Sequence, residues 1–347
     1  MKGKSLKTVF IMGAGATRGA VGHVRVKGKL IRPPLNGDYF KIADAFAAAY
    51  GKHSAHAKRL KRLRSAFKHD LPMKGDPRME EAFSLLYMAK DFPEIYKSGP
   101  GRKPHPGIRG EIDDFLRLLF LILGELDSGS TDTGYDRLAK RLEDKDTVIT
   151  LNYDTVLDSA LARRGWNPQD GYCLVGGNRK VEWKPESVNP KQTLSGVHLL
   201  KLHGSINWWI KGSVGTISRI FDNKPVRVTG VRKNEIKGHI RQIVPPIYGK
   251  VFGHSHWRGL WAKAFNALLE ADLLVVIGCS LVDTDFHLSA LLRRIAAARK
   301  NDGKFKRGIF VDVVRVRRRW SKVMKGAFVK TTGHKTFEQF LVKELSV

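Results

Sequence analysis

The period of hydrophobic positions changes repeatedly along this chain. Compact apolar or β-branched runs occur at 8–12 (TVFIM), 147–151 (TVITL), 197–202 (VHLLKL), 272–277 (DLLVVI) and 308–314 (GIFVDVV). Each is short, and several end abruptly on glycine or a polar residue, which reads as a buried strand. The run at 273–277 is the strongest, five apolar residues stopped by Gly278. Between the runs, apolar residues fall at helical spacing: Phe40, Ile42, Ala43, Phe46 and Ala47 within a helix expected over 38–67; then 79–88; then Phe115, Leu118, Leu119 and Ile122 in 111–126. Leu157, Ala160 and Leu161 continue the pattern, as do Leu260, Trp261, Ala264, Phe265 and Leu268 in 257–271, and a short amphipathic stretch at 335–345. Strands alternating with helices predict an α/β fold with a Rossmann-like parallel sheet flanked by helices. The run at 308–314 is expected to be its last strand.

The 347 residues are read as a single domain with two insertions. A helical insertion spans about 38–146. An irregular, β-rich insertion spans about 207–250, where 212–237 alternates apolar residues with charges and glycines as a small antiparallel excursion would. Pro245 and Pro246 disfavour a central strand over 243–250, and the Gly, Asn, Pro and Trp of 165–190 read as loops. The basic and then apolar start runs into a glycine turn after too few residues for a signal peptide. It reads as a first strand, with a cytoplasmic location and no membrane partner expected.

Polar corners come directly after four of the strands: Gly13-Ala14-Gly15 with Thr17, Asn152-Tyr153-Asp154, His203-Gly204-Ser205, and Gly278-Cys279-Ser280 with Asp283 and Asp285. Close glycines after a strand let backbone approach a phosphate, whose charge is met by amides opening the next helix; a plain tight turn is the other reading, since the third glycine of the dinucleotide fingerprint is displaced. His203 reads either as a ligand-facing group or as a hydrogen-bonded structural histidine. Asp283 and Asp285 open a helix, and capping is expected for one of them. Each corner is ambiguous alone. Together they would line the carboxyl edge of one parallel sheet, where open α/β sheets bind ligands.

Charge adds a further feature, because 62 Lys and Arg against 33 Asp and Glu leave a formal +29. Such a field attracts polyanions and anionic small molecules. Basic runs at 58–64 and 315–319 read either as solvated helix faces or as contacts for nucleic acid. Two cysteines, Cys173 and Cys279, exclude a disulfide framework and a four-cysteine zinc site.

The ordered set Gly13-Ala14-Gly15-Ala16, Leu151-Asn152-Tyr153-Asp154, Leu202-His203-Gly204-Ser205 and Ile277-Gly278-Cys279-Ser280-Leu281 with Asp283 and Asp285 resembles the sirtuin-like family. It is most similar to the bacterial branch in which Asn-Tyr-Asp replaces the deacetylase Gln-Asn-Ile/Val-Asp; Pro245, Pro246, Lys250 and Trp257 also resemble that branch. The resemblance implies NAD as substrate, with Gly13, Ala14, Gly15 and Thr17 on the cofactor. It implies Asn152 beside the nicotinamide ribose, His203 as catalytic base and Asp154 shaping the nicotinamide pocket. Gly278, Ser280, Asp283 and Asp285 would lie on the adenosine side. The chain departs from the deacetylases in lacking the zinc module and an Ile-Pro-Asp-Phe-Arg segment, so no zinc is expected. Hydrolysis of NAD is favoured over protein deacylation. The resemblance further implies an effector of antiviral defence acting as a homo-oligomer or with a partner ATPase, Argonaute-like or other sensor subunit. A nucleic-acid-associated scaffold and an NAD-sensing subunit without turnover stand as alternatives.

Overall fold

The computed structural model describes residues 6–69, 71, 75–93, 108–128, 132–174, 180–181, 194–211, 217–220, 239–250, 252, 255–282, 285–301 and 303–345. Strand β1 (Thr8–Met12) runs into α1 (Ala14–Val21), and the hairpin of β2 (Val24–Val26) and β3 (Lys29–Ile31) comes next. Helices α2 (Tyr39–Ala49), α3 (Ala55–His69), α4 (Met79–Asp91), α5 (Ile108–Ser128) and α6 (Gly134–Ala139) precede β4 (Thr147–Thr150). Next come α7 (Val156–Ala162), α8 (Pro168–Gly171), β5 (Lys180–Val181), β6 (His198–Lys201), β7 (Gly204–Lys211), β8 (Ile217–Ile220) and β9 (His239–Ile243). The chain then forms α9 (Ser255–Glu270), β10 (Leu273–Ile277), α10 (Phe286–Asn301), β11 (Phe305–Val311), α11 (Val314–Val323), β12 (Phe328–His334) and α12 (Phe337–Glu344).

Six strands form one parallel sheet in the order β12-β11-β10-β1-β4-β6. Numbered among themselves along the chain they run 6-5-4-1-2-3, the doubly wound order, which reverses direction between β1 and β10. The apolar runs end up at the centre because helices cover both faces and every side chain must be buried. Ile11, Ile149 and Leu274 have no exposed surface. Polar residues then stop the strands together at one edge, since parallel strands all end on the same side.

Four expectations change. The stretch 38–67 forms two helices, α2 and α3, because the chain turns at Gly51, held at φ +96°. The β2–β3 hairpin forms between α1 and the helical insertion, where no strand was expected. The run at 308–314 is not the last strand: β11 ends at Val311, Val314 opens α11, and β12 comes after it. Strand β12 lies at the sheet edge with mostly exposed or half-exposed side chains, so it carries no apolar run to read. The second sheet, β5-β8-β7-β9, starts earlier than expected: β5 falls within 165–190, read as loops, where α8 also forms, and β7 begins at Gly204, while most of the excursion expected at 212–237 lies outside the described residues.

Candidate active site

The reversal of strand order places the turn after β1 against the turn after β10. Gly13 N donates to Ile277 O at 3.1 Å and Gly15 N to Gly278 O at 3.0 Å. A Cβ on Gly13 would lie 2.7 Å from Gly278 O, and one on Gly278 would lie 2.0 Å from Ala16 N; Gly278 also sits at φ +55°. Glycine is required here by the contact between two turns as well as by backbone conformation. Two of the amides expected to face a phosphate are instead committed to β10, although Gly13, Ala14 and Gly15 all line a cleft of about 550 Å³.

Asn152 leaves β4 at the same edge. Its Nδ2 donates to Gly13 O and to Thr17 Oγ1, each at 3.0 Å. Thr17 Oγ1 in turn donates to Asp154 Oδ2 at 3.0 Å and lies 3.0 Å from Tyr135 Oη. A hydroxyl has one proton and two lone pairs, so the Tyr135 hydroxyl must be the donor and Thr17 is saturated. Thr17 therefore organises Asn152 and Asp154 with a hydroxyl that has no capacity left for a ligand. Asp154 is buried and also accepts from Val156 N at 3.3 Å; burial pushes its carboxyl above the usual range. Beneath it, the fully buried pair Lys201–Asp158 closes at 3.1 Å, and Lys201 Nζ donates to the Asp154 carbonyl. These bonds make Asp154 an anchor of the corner while it lines the cleft.

His203 comes after β6 and is 5% exposed. Its ring lies between Tyr153 and Phe252, with centroids 6.4 and 6.3 Å away. Nε2 is 3.8 Å from Asp285 Oδ1. Burial pushes His203 down to about 4; Lys250 and His287 lower it and Asp285 opposes them. The imidazole is thus neutral near pH 7, the form that accepts a proton. Asp285 immediately precedes α10, where its carbonyl accepts from Ser289 N at 3.0 Å, and its carboxylate pairs with Lys250 Nζ at 2.6 Å on the His203 side of the cleft. Asp283 lies outside the described residues.

Gly278 and Ser280 line the same cleft, as do Asp312, Arg315 and Arg319. Arg319 donates to Ser280 O at 3.2 Å and Leu281 O at 2.9 Å, bracing the turn after β10. The helical region supplies a wall through Asn36, Met79, Glu80, Leu119 and Leu123. Glu80, Asp312, Arg315 and Arg319 as cleft residues have no local motif. Lys250 had only the resemblance to mark it, and Arg315 and Arg319 read simply as part of a basic run.

The two basic runs differ. On α3, Arg59 and Arg62 pair with Asp114, and Arg64 pairs with Asp44 and Asp76, while Leu60 and Leu63 are buried. Much of that charge is matched internally. On α11, Arg315, Arg318 and Arg319 are exposed, and Arg315 and Arg319 line the cleft. Among the described residues no group of three or more His, Cys, Asp or Glu could hold a metal, and no helix is long and apolar enough to cross a membrane.

Strand order and site together define an open α/β fold with a cleft at its switch point. Residues 146–315 match the family model described as SIR2-like domain. The match takes in Asn152, His203 and Gly278 and begins after the 13–15 turn. Similar solved structures include a Sir2 mutant with a p53 peptide and NAD, at 12% identity, covering 98% of this chain and 92% of that chain, TM-score 0.36. Another, described as the structural basis for the mechanism and regulation of Sir2 enzymes, has 14% identity, 99% and 94% coverage and TM-score 0.33. A Sir2 homologue mutant in complex with ADP-ribose has 10% identity, 92% and 91% coverage and TM-score 0.34. No curated protein matches the chain.

Proposed function

We propose that this chain is an NAD glycohydrolase that releases nicotinamide and ADP-ribose. The observation that carries the reading is the convergence of a neutral, buried His203 and a doubly tethered Asn152 on one cleft, beside the glycine turn at the switch point. Cleavage breaks the C1′–N bond, and its electron pair returns to the nicotinamide nitrogen. The ribose gains oxocarbenium character, water oxygen bonds to C1′, and His203 takes the proton that water releases. Asn152, fixed by Gly13 and Thr17, is a polar and unreactive group suited to orient that water or the ribose hydroxyls. Gly13, Ala14 and Gly15 line the cleft at the start of α1, the position suited to the pyrophosphate. Water is favoured over acetyl-lysine as acceptor, since two cysteines cannot build the zinc module of deacetylases.

The biological role that fits is NAD depletion in antiviral defence, with turnover licensed by self-association or a sensor subunit. The test is nicotinamide release from NAD by the purified chain, alone and with its genomic neighbours' products. The reading fails if none appears in either state, or if Asn152→Ala and His203→Ala release it at the wild-type rate. A second reading, association with nucleic acid, is favoured by the exposed arginines of α11. It predicts DNA or RNA binding that weakens steeply with salt and is lost in an Arg315→Ala, Arg318→Ala double variant.

A further inference from the structure

Charged and titratable groups reach His203 from several elements: Asp285 and His287 at the start of α10, Lys250 after β9, and the Tyr153 phenol after β4, while Glu80 at the start of α4 lies behind Lys250. Lys250 is the link among them. Its side chain is 2% exposed, and its Nζ lies 2.6 Å from Asp285 Oδ1 and 3.8 Å from Glu80 Oε1. The Asp285 oxygen it holds is the same one that lies 3.8 Å from His203 Nε2.

We propose that Lys250 is a positioning residue that clamps Asp285 beside His203 and, through Glu80, ties the base to the helical wall of the cleft. This rests on His203 being the base of the reaction proposed above. An ammonium removed from water needs anionic partners, and here they come from two different elements. Lysine and histidine face one carboxylate oxygen, and lysine holds it at hydrogen-bond distance. The imidazole is therefore left without its proton in the resting state. Once His203 takes a proton, the same carboxylate stabilises the imidazolium from 3.8 Å.

Glu80 is itself held firmly. Asn36 Nδ2 donates to Glu80 Oε2 at 2.8 Å, and Glu80 N donates to Asn36 Oδ1 at 3.0 Å. Tyr248 N donates to Ser84 Oγ at 2.8 Å, so the segment bearing Lys250 meets α4 at a second point. Arg18 of α1 holds the loop before α2 through Pro33 O and Asp38. A movement of α4 would thereby reach Asp285 and His203.

The test is the titration of His203 by NMR of the ring-labelled full chain, assigned with His203→Gln. Removing the ammonium in Lys250→Met frees Asp285 to stabilise imidazolium, and the His203 midpoint is expected to rise by about one unit or more. Asp285→Asn removes that stabilisation, and the ring is expected to stay neutral to the lowest pH at which the fold persists. In turnover, the acid limb of kcat/KM moves up for Lys250→Met and down for Asp285→Asn, kcat falls more than KM changes, and Lys250→Arg restores part of the rate. A structural role alone gives no opposite shifts. Should Lys250→Met not fold, Lys250→Gln, which is uncharged but still donates a hydrogen bond, takes its place in the titration. Midpoints that do not move, or that move in the same direction, overturn the proposal. The titration needs no activity: opposite shifts without nicotinamide release would overturn the NAD-cleaving reading and leave the clamp standing.

Discussion

Asn152 offers the sharpest prediction because its side chain does two separable things. Its Nδ2 gives hydrogen bonds to Gly13 O and Thr17 Oγ1, each at 3.0 Å, and so couples β4 to the β1 turn. Asn152→Ala removes both. Each bond contributes about 1 kcal/mol net, and leaving the Gly13 carbonyl without this donor adds roughly 1 kcal/mol or more, for a total of about 2–4 kcal/mol. That corresponds to a melting temperature lower by roughly 3–5 °C for a chain of this length. Asn152→Asp keeps the shape but offers an acceptor where a donor is needed, opposite a carbonyl and within the network of Asp154. It should destabilise at least as much, and more at pH 8 than at pH 5, where the new carboxyl is more readily protonated. Calorimetry reads the stability term. Nicotinamide release reads the chemical one, where loss of an oriented polar group is expected to lower kcat by about 10²-fold or more. Melting temperatures within about 1 °C of wild type for both variants would refute the tether. An undiminished rate in a folded Asn152→Ala protein would refute the catalytic role.

Three more outcomes are set by the same geometry. Gly278→Ala places a Cβ 2.0 Å from Ala16 N at φ +55°, so the β1 and β10 turns must separate; NAD affinity by calorimetry should fall tenfold or more, and unchanged affinity would mean that the turns do not hold the dinucleotide. His203 is lowered from 6.5 to about 4, so the unfolded chain takes up its proton first. Its contribution to stability is full above pH 6.5 and is lost as pH falls toward 4, about 3 kcal/mol in all, and this part of the pH dependence should flatten in His203→Gln. Asp127 is raised to about 8 by burial, opposed by hydrogen bonds from Ser159 and Thr155. Its stabilising protonated form is lost as pH rises from 3.8 toward 8, so Asp127→Asn should gain stability over wild type by a few kcal/mol more at pH 9 than at pH 5 in denaturant titrations.

Local patterning was enough to place the central strands and the points where they stop. The runs at 8–12, 147–151, 197–202 and 273–277 are apolar because both faces of a parallel sheet are covered, and their polar ends mark its ligand edge. Asn152, His203 and Gly278 were legible for that reason. Strand β12 was not, because an edge strand with exposed side chains carries no apolar run. Everything else came from the tertiary arrangement, since pairings between distant segments depend on sheet order and not on local period. It put Gly278 against Gly15, matched the 58–64 run with Asp114, Asp44 and Asp76, and made Asp285 the partner of Lys250. It also brought Glu80 from the helical wall to the same ammonium. Buried charges must find counter-charges wherever the fold offers them, and no spacing along the chain records which ones they will be.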